Sequence, residues 1–378
     1  MDERSGGRPG TGTDVGDGPD RARGAWRPLW VGTYPVAGAD APAGAGEGIW
    51  HVRLDPRTGA LEGEQVVTSP APSFLAVHPT GTVLYAAGEQ SDGTVSAFAI
   101  RGDRLEHRAT VSSGGASPCH LLLADDARTL YVANYTSGTL GVLPLDTDGL
   151  PTAAASGEGG PAQVFDHTGS GPRTDRQESP HAHFVALAPG GTHLLVVDLG
   201  TDELRRYRVG ADGLLTADGV AAHLPPGTGP RHLAFSRDGR HVYVVGELDV
   251  ALHVLAWDAA RAEGAGVQVV PLAPGHTGAR AALPSHVVLD GDRLLVGVRE
   301  ADVLVELAVR PDGLVETVPD GTTPLPGRWP RHLEVVDGWT VVAEQVSGDL
   351  ATLPAGRGGA AHVMALPSPA CVVAQPGG

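Results

Sequence analysis

Three arginines, a histidine and a glutamate are the residues of this 378-residue chain whose types and spacing could do acid–base or anion chemistry. In the stretch GPRHLAFSRDGRHVYVVGEL, Arg231 and Glu247 stand equidistant from Gly239, so a hairpin turning there brings them face to face. Alone, they read as a cross-strand ion pair that contributes at most about 1 kcal/mol if exposed. With other charges beside them the meaning changes. Arginines hold phosphates and carboxylates bidentately, and a histidine or a carboxylate can take a proton from water.

A repeat supplies those other charges. A proline followed by a strand recurs as PSFLAVHPTG (from Pro72), PCHLLLADDA (Pro118), PHAHFVALAPGG (Pro180), PRHLAFSRDG (Pro230), PSHVVLDGD (Pro284), PRHLEVVDG (Pro330) and PACVVAQPGG (Pro369). The seven copies lie 39 to 62 residues apart. Each of the first six runs through a Gly- or Asp-rich turn into a second apolar strand, such as TLYVANY or HVYVVGE, and so reads as a hairpin. A third strand usually follows, then a more polar fourth. Four strands per repeat at this spacing predict β-propeller blades.

The chain ends support closure. PACVVAQ has a first strand and no successors, whereas LWVGTYP, GIWHVRLD and LEGEQVVTS near the N-terminus have no first strand. Pairing them completes a seventh blade and removes the open edges. The expected fold is therefore all-β: a seven-bladed β-propeller of four-stranded antiparallel blades over residues 26–378, closed by the N- and C-terminal strands. Residues 1–25, rich in Gly, Asp and Arg without periodicity, read as a disordered tail, and the Gly-rich stretch 151–177 as a loop insertion over one face.

In such a disc the start of each first strand and the end of each second strand share one mouth of the central channel. The position after the proline reads Ser73, Cys119, His183, Arg231, Ser285, Arg331 and Ala370. The ends of the second strands read Glu89, Tyr135, Leu199, Glu247, Arg299 and Gln345. His183 from the preceding hairpin, and Arg299 and Arg331 from those that follow, therefore gather beside Arg231 and Glu247. Like charges repel unless an anion sits among them, so this rim predicts a local anion site. Arg331, His181, Asn134, Gln345 and Glu89 are the expected substrate-binding surround.

One residue further along, the repeat reads Phe74, His120, Phe184, His232, His286, His332 and Cys371. This list is bulky and monotonous, and it reads as packing between blades rather than as a metal constellation. Glu89, Asn134, Asp198 and Glu344 could offer oxygen ligands to a channel cation, but ordered water suits them equally, and no cofactor or metal is expected.

Composition narrows the partners. A formal net charge of −17 leaves no chain-wide basic field for nucleic acid or an anionic membrane. Cys119 and Cys371 are too few for a disulfide framework and read as reduced core thiols. No apolar run approaches the roughly 20 residues that span a bilayer, and the N-terminus lacks the apolar segment of a secretory signal. A cytoplasmic monomer acting on a small anionic substrate is the expectation.

With these residues placed, the chain resembles the lactonase family of seven-bladed β-propellers, which includes bacterial propeller-type 6-phosphogluconolactonases and fungal carboxy-cis,cis-muconate cyclising enzymes. The resemblance covers about residues 28 to 376 and rests on WVGTY, SPCHLLL with LYVANY, SPHAHFVALAP with VVDLGTDEL, GPRHLAF with VYVVGEL, and WPRHLEV. It implies an active site of His183, Arg231, Glu247 and Arg299. Val298 and Glu344 stand where the family usually has asparagine, and both changes bear on substrate identity.

The resemblance implies hydrolysis of an anionic sugar lactone, with His183 or Glu247 taking the water proton and Arg231 and Arg299 stabilising the oxyanion or holding an anionic group. Two alternatives stand beside it. A lactonising cyclase acting on an unsaturated carboxylate needs the same groups, and a propeller can also serve as a non-catalytic platform for a ligand or a protein.

Overall fold

The computed structural model describes Met1 and residues 26–34, 48–153, 159–355 and 362–376. The expected tail, Met1 apart, lies outside the described residues. The rest forms seven sheets of four antiparallel strands. Blades 1 to 7 are numbered by their first strands: Pro72–Val77, Pro118–Leu123, Ala182–Leu187, Pro230–Phe235, Leu283–Asp290, Pro330–Val336 and Pro369–Ala374. Each first strand packs against the next, and Pro369–Ala374 returns to Pro72–Val77, so the ring is closed. Closure is the one expected: Arg27–Thr33 pairs with Pro369–Ala374 on one side and Ile49–Leu54 on the other.

The second strands are buried almost throughout, and Val83–Gly88 and Thr129–Asn134 along their whole length, because neighbouring blades cover both faces. Their apolar runs form the inter-blade clusters, for example Tyr243, Val245, Leu294 and Val296 between blades 4 and 5. A repeated latch joins the blades. Tyr85, Tyr131 and Tyr243 donate their hydroxyls to the carbonyls of Gly149, Gly213 and Gly313 at 2.6, 2.9 and 3.0 Å. Those turn glycines have φ near +80°, and a Cβ on Gly313 would strike the His241 ring.

The Gly-rich stretch 151–177 is more than a loop. Gln163–Asp166 inside it pairs with Thr139–Pro144 and is the fourth strand of blade 2. The remainder continues as a strap, residues 167–181, which leads into blade 3. His167 fixes its start, with Nδ1 2.8 Å from Asp198 Oδ2 and Nε2 2.9 Å from the Tyr207 hydroxyl, both of blade 3.

Candidate active site

The hairpins carry a feature that equal spacing from a turn does not show. Pro230 pairs with Gly246 and His232 with Val245, which leaves Arg231 as an extra, unpaired residue. Arg231 is therefore not directly opposite Glu247; it sits in a β-bulge, which re-aims its side chain. Ser73, Cys119, His183 and Arg331 occupy the same bulge in their hairpins. Whatever residue stands there is turned toward the channel mouth.

Glu247 is the centre of the charge cluster. Its Oε2 lies 3.1 Å from Arg231 Nε and accepts a hydrogen bond from Arg299 Nη2 at 2.6 Å. The Arg231 N–H is misaligned for a hydrogen bond and has no other acceptor, while its Nη1 donates to the Ser285 carbonyl at 2.6 Å. Arg299 is fixed by Nε donating to the Leu283 carbonyl at 3.0 Å and by stacking over Trp329. The second oxygen, Oε1, accepts from Arg176 Nη2 at 2.6 Å.

Sequence reasoning missed Arg176. It comes from the strap, where the only signal was an arginine close before the SPHAH run in a stretch set aside as a loop. Its neighbour Gln177, fully buried, holds the strap by donating to the Leu199 carbonyl and to Asp202 Oδ1 at 2.9 and 2.8 Å.

These contacts set the charges. Burial works to raise the pKa of Glu247, but Arg299, Arg176 and Arg231 outweigh it and hold the carboxyl far below its usual range. Burial and then the neighbouring Arg299 push Arg231 below the usual arginine range. Burial, with Arg231 beside it, holds His183 well below an ordinary imidazole, so this histidine is neutral at physiological pH.

A second cluster adjoins the first. Arg331 Nη2 lies 3.4 Å from Glu89 Oε2, its Nη1 3.3 Å from Gln345 Oε1, and its guanidinium stacks over Tyr34. Tyr34 donates to Glu89 Oε1 at 3.1 Å. It is the last residue of the WVGTY motif, to which no role had been given.

His181 and His183 flank Tyr135. The His181 ring stacks on Tyr135 at 4.4 Å, with Nδ1 3.0 Å from the Tyr135 carbonyl, and His183 meets the same ring edge-on. Tyr135 in turn receives Arg176 Nη2 at 3.4 Å. Asn134 is not brought into the cluster. It precedes Tyr135 in an extended segment and points the other way, donating to the Ser113 carbonyl and to Thr139 Oγ1 at 3.2 and 3.1 Å. Asp198 and Glu344, at the same register, likewise bind backbone amides of His181 and Gly327.

The recurring rings lie one layer deeper and pack between neighbouring blades, as expected: Phe74 on His120, His120 on Phe184 and His286 on His332, with centroids 4.3, 4.0 and 4.1 Å apart. They also meet across the axis, where Phe74 touches His332 across blade 7 and His120 touches His232 across blade 3. Among the described residues no group of three or more side chains is arranged to hold a metal ion. The rings close the channel beneath the arginines, and His183 rests edge-on against His232. The site is a cationic mouth above a layer of rings.

Over residues 28–358 the chain matches the family described as Lactonase, 7-bladed beta-propeller. It is 31% identical over 330 residues to the 6-phosphogluconolactonase of Bacillus subtilis (strain 168), which covers 85% of this chain and 89% of that one. A 6-phosphogluconolactonase of Sodalis glossinidius (strain morsitans) is 31% identical over 271 residues, 70% of this chain and 75% of its own. The periplasmic gluconolactonase of Pseudomonas aeruginosa, a solved structure, superposes with a TM-score of 0.81 at 27% identity and covers 93% of this chain and 99% of its own. Fold, repeat motifs and extent of match agree, and the chain belongs to the lactonase family of seven-bladed β-propellers.

Proposed function

We propose that this chain hydrolyses an anionic sugar lactone, with 6-phosphogluconolactone as the preferred substrate. The carrying observation is a charge count at the channel mouth. Arg176, Arg231, Arg299 and Arg331 bring four positive charges, and Glu247 and Glu89 two negative ones, which leaves two positive charges uncompensated. A phosphate monoester carries about −1.5 to −2 at neutral pH, which matches that excess. A lactone without phosphate, the substrate class named for the Pseudomonas relative, would leave the excess unbalanced.

In the reaction, water adds to the lactone carbonyl, the carbonyl oxygen becomes an oxyanion, and the ring C–O bond then breaks to give a carboxylate and a free hydroxyl. Arg231 is suited to the oxyanion, because its Nε–H is buried and lacks an aligned acceptor. Glu247, ionised at all working pH, takes the water proton and returns one to the leaving ring oxygen. His183, neutral and wedged between Tyr135 and His232, sets the floor on which the ring rests. Arg331 with Gln345 holds the far hydroxyls or the phosphate.

The test is the opening of 6-phosphogluconolactone by purified protein, followed against its spontaneous hydrolysis. Acceleration that is abolished in Glu247→Gln and strongly reduced in Arg231→Ala supports the reading. A rate equal to background, or full activity in both variants, rejects it.

A further inference from the structure

The contacts of Glu247 stand against the role just given to it. Three guanidiniums occupy its two oxygens, and a carboxylate so paired is a poor base. The lock is asymmetric. Oε2 is shared by Arg231 and Arg299, whose side chains are only 3% and 7% exposed and each of which also donates from a second nitrogen to a backbone carbonyl. Oε1 is held by Arg176, 34% exposed, the most open of the four arginines.

Arg176 also differs in its support. It stands on the strap, not on a blade strand, yet the strap backbone is fixed on both sides of it. Gln177 is fully buried and tied to Leu199 and Asp202, and Arg173 donates to the Leu248 carbonyl at 2.9 Å. A fixed backbone carrying a long, solvent-facing side chain allows that side chain to change partner without moving the strap. The new partner must be an anion, because leaving Glu247 for water would give up a charge-assisted hydrogen bond for nothing comparable.

We infer that Arg176 is a substrate-operated switch: the phosphate of the substrate draws its guanidinium away from Glu247 Oε1, and the freed oxygen then faces the hydrolytic water as the base. The inference rests on the proposed function and deepens it. The phosphate is then an activator as well as a handle, and Arg176 decides between phosphorylated and phosphate-free lactones. The residue acts by contact with substrate, and the bond changes of the hydrolysis are unaltered.

Three rates test this, each corrected for spontaneous opening: 6-phosphogluconolactone, glucono-δ-lactone alone, and glucono-δ-lactone with added phosphite dianion. In the wild type, phosphite is expected to speed the phosphate-free lactone by about tenfold or more, because it supplies the missing anion. Arg176→Ala should lose about 10- to 100-fold in kcat/KM on 6-phosphogluconolactone, the value of one hydrogen bond between charged groups. The same variant should lose far less on glucono-δ-lactone than on 6-phosphogluconolactone and show no phosphite activation. Arg176→Lys, which keeps the charge but not the planar fork, should recover part of both effects.

The switch is overturned if phosphite fails to activate the wild type, or if Arg176→Ala slows both lactones by the same factor, which is the mark of a merely structural residue. If the wild type accelerates neither lactone, the proposed function itself fails. That outcome is distinct from wild-type activity on 6-phosphogluconolactone without phosphite activation, which leaves the function standing and removes only the switch.

Discussion

Arg231 and Arg299 grip the same oxygen of Glu247 from two different blades, at 3.1 and 2.6 Å. The carboxylate is thereby a tie between blades 4 and 5 as well as a chemical group. All three side chains are nearly excluded from water, so none of the charges is screened. Removing the glutamate charge leaves like charges facing one another in a low-dielectric layer.

Glu247→Gln is accordingly expected to destabilise the fold by about 3–5 kcal/mol, the usual cost of breaking a buried ion cluster from one side. The loss should be partly reversed by millimolar phosphate, which replaces the missing negative charge, and not by chloride at the same ionic strength. Thermal melts of the variant in the two salts measure it. A melting temperature equal to that of the wild type, or recovery in chloride alone, contradicts the assignment of Glu247 as the charge centre.

The ring layer predicts a pH dependence of opposite origin. His120, His183, His232 and His286 are all held well below the ordinary imidazole value, first by burial, and His332 is brought down to about 3. Their folded pKa values lie below the unfolded value near 6.5, so the unfolded chain binds protons more tightly. The stability is whole above pH 6.5 and is lost as pH falls below it, each histidine adding up to about 1.4 kcal/mol per pH unit. Melts between pH 7.5 and 4.5 should therefore show a steep fall that begins near pH 6.5, earlier than carboxylate titration would give. His332→Phe, which copies the residue at this position in blades 1 and 3, should make that fall shallower.

The reach of the sequence follows from which signals repeat. Proline-led strands at a regular spacing announce the blades, and the register of the hairpins carries His183, Arg231, Glu247 and Arg299 to one mouth. What a repeat cannot show is a deviation that each hairpin shares without changing its pattern: the bulge at Arg231 leaves the apolar alternation of the remaining strand intact. Counting along the strands sets Tyr135 at the rim, where the structure has it, whereas Asn134, expected in the surround, is one step of the pleat away and turns aside. Arg176 was hidden for another reason. It lies where no repeat operates, on a strap held by tertiary anchors such as Gln177 and His167 that no local pattern announces.

Glu334 predicts the reverse pH response. It lies two residues after His332 on the same face of its strand, in a layer where the other blades place Ala76, Leu122, Ala186, Ala234, Val288 and Val373. Burial raises its pKa to about 7. Because the folded value lies above the unfolded one near 4.5, the folded chain keeps a proton that the unfolded chain has released, and stability falls as pH rises from about 4.5 to about 7. Glu334→Gln should thus raise the melting temperature at pH 8 by a few degrees and change it little at pH 4.5. Equal effects at both pH values count against a charge held in an apolar channel.

The strap provides the last test, because its two anchors stand at different distances from the arginine they serve. Gln177 adjoins Arg176, whereas His167 lies nine residues earlier and acts on the strap through Asp198 and Tyr207. Neither residue touches Glu247, so each is a positioning residue. Gln177→Ala should raise KM for 6-phosphogluconolactone by about tenfold, and His167→Ala by about threefold, with kcat changed less in both, the pattern expected when an anion-binding side chain is held less firmly. Combining either change with Arg176→Ala should add little to KM, since the anchors act only through the arginine. Full additivity of the double variants in KM would show instead that the strap serves the site by some route other than Arg176.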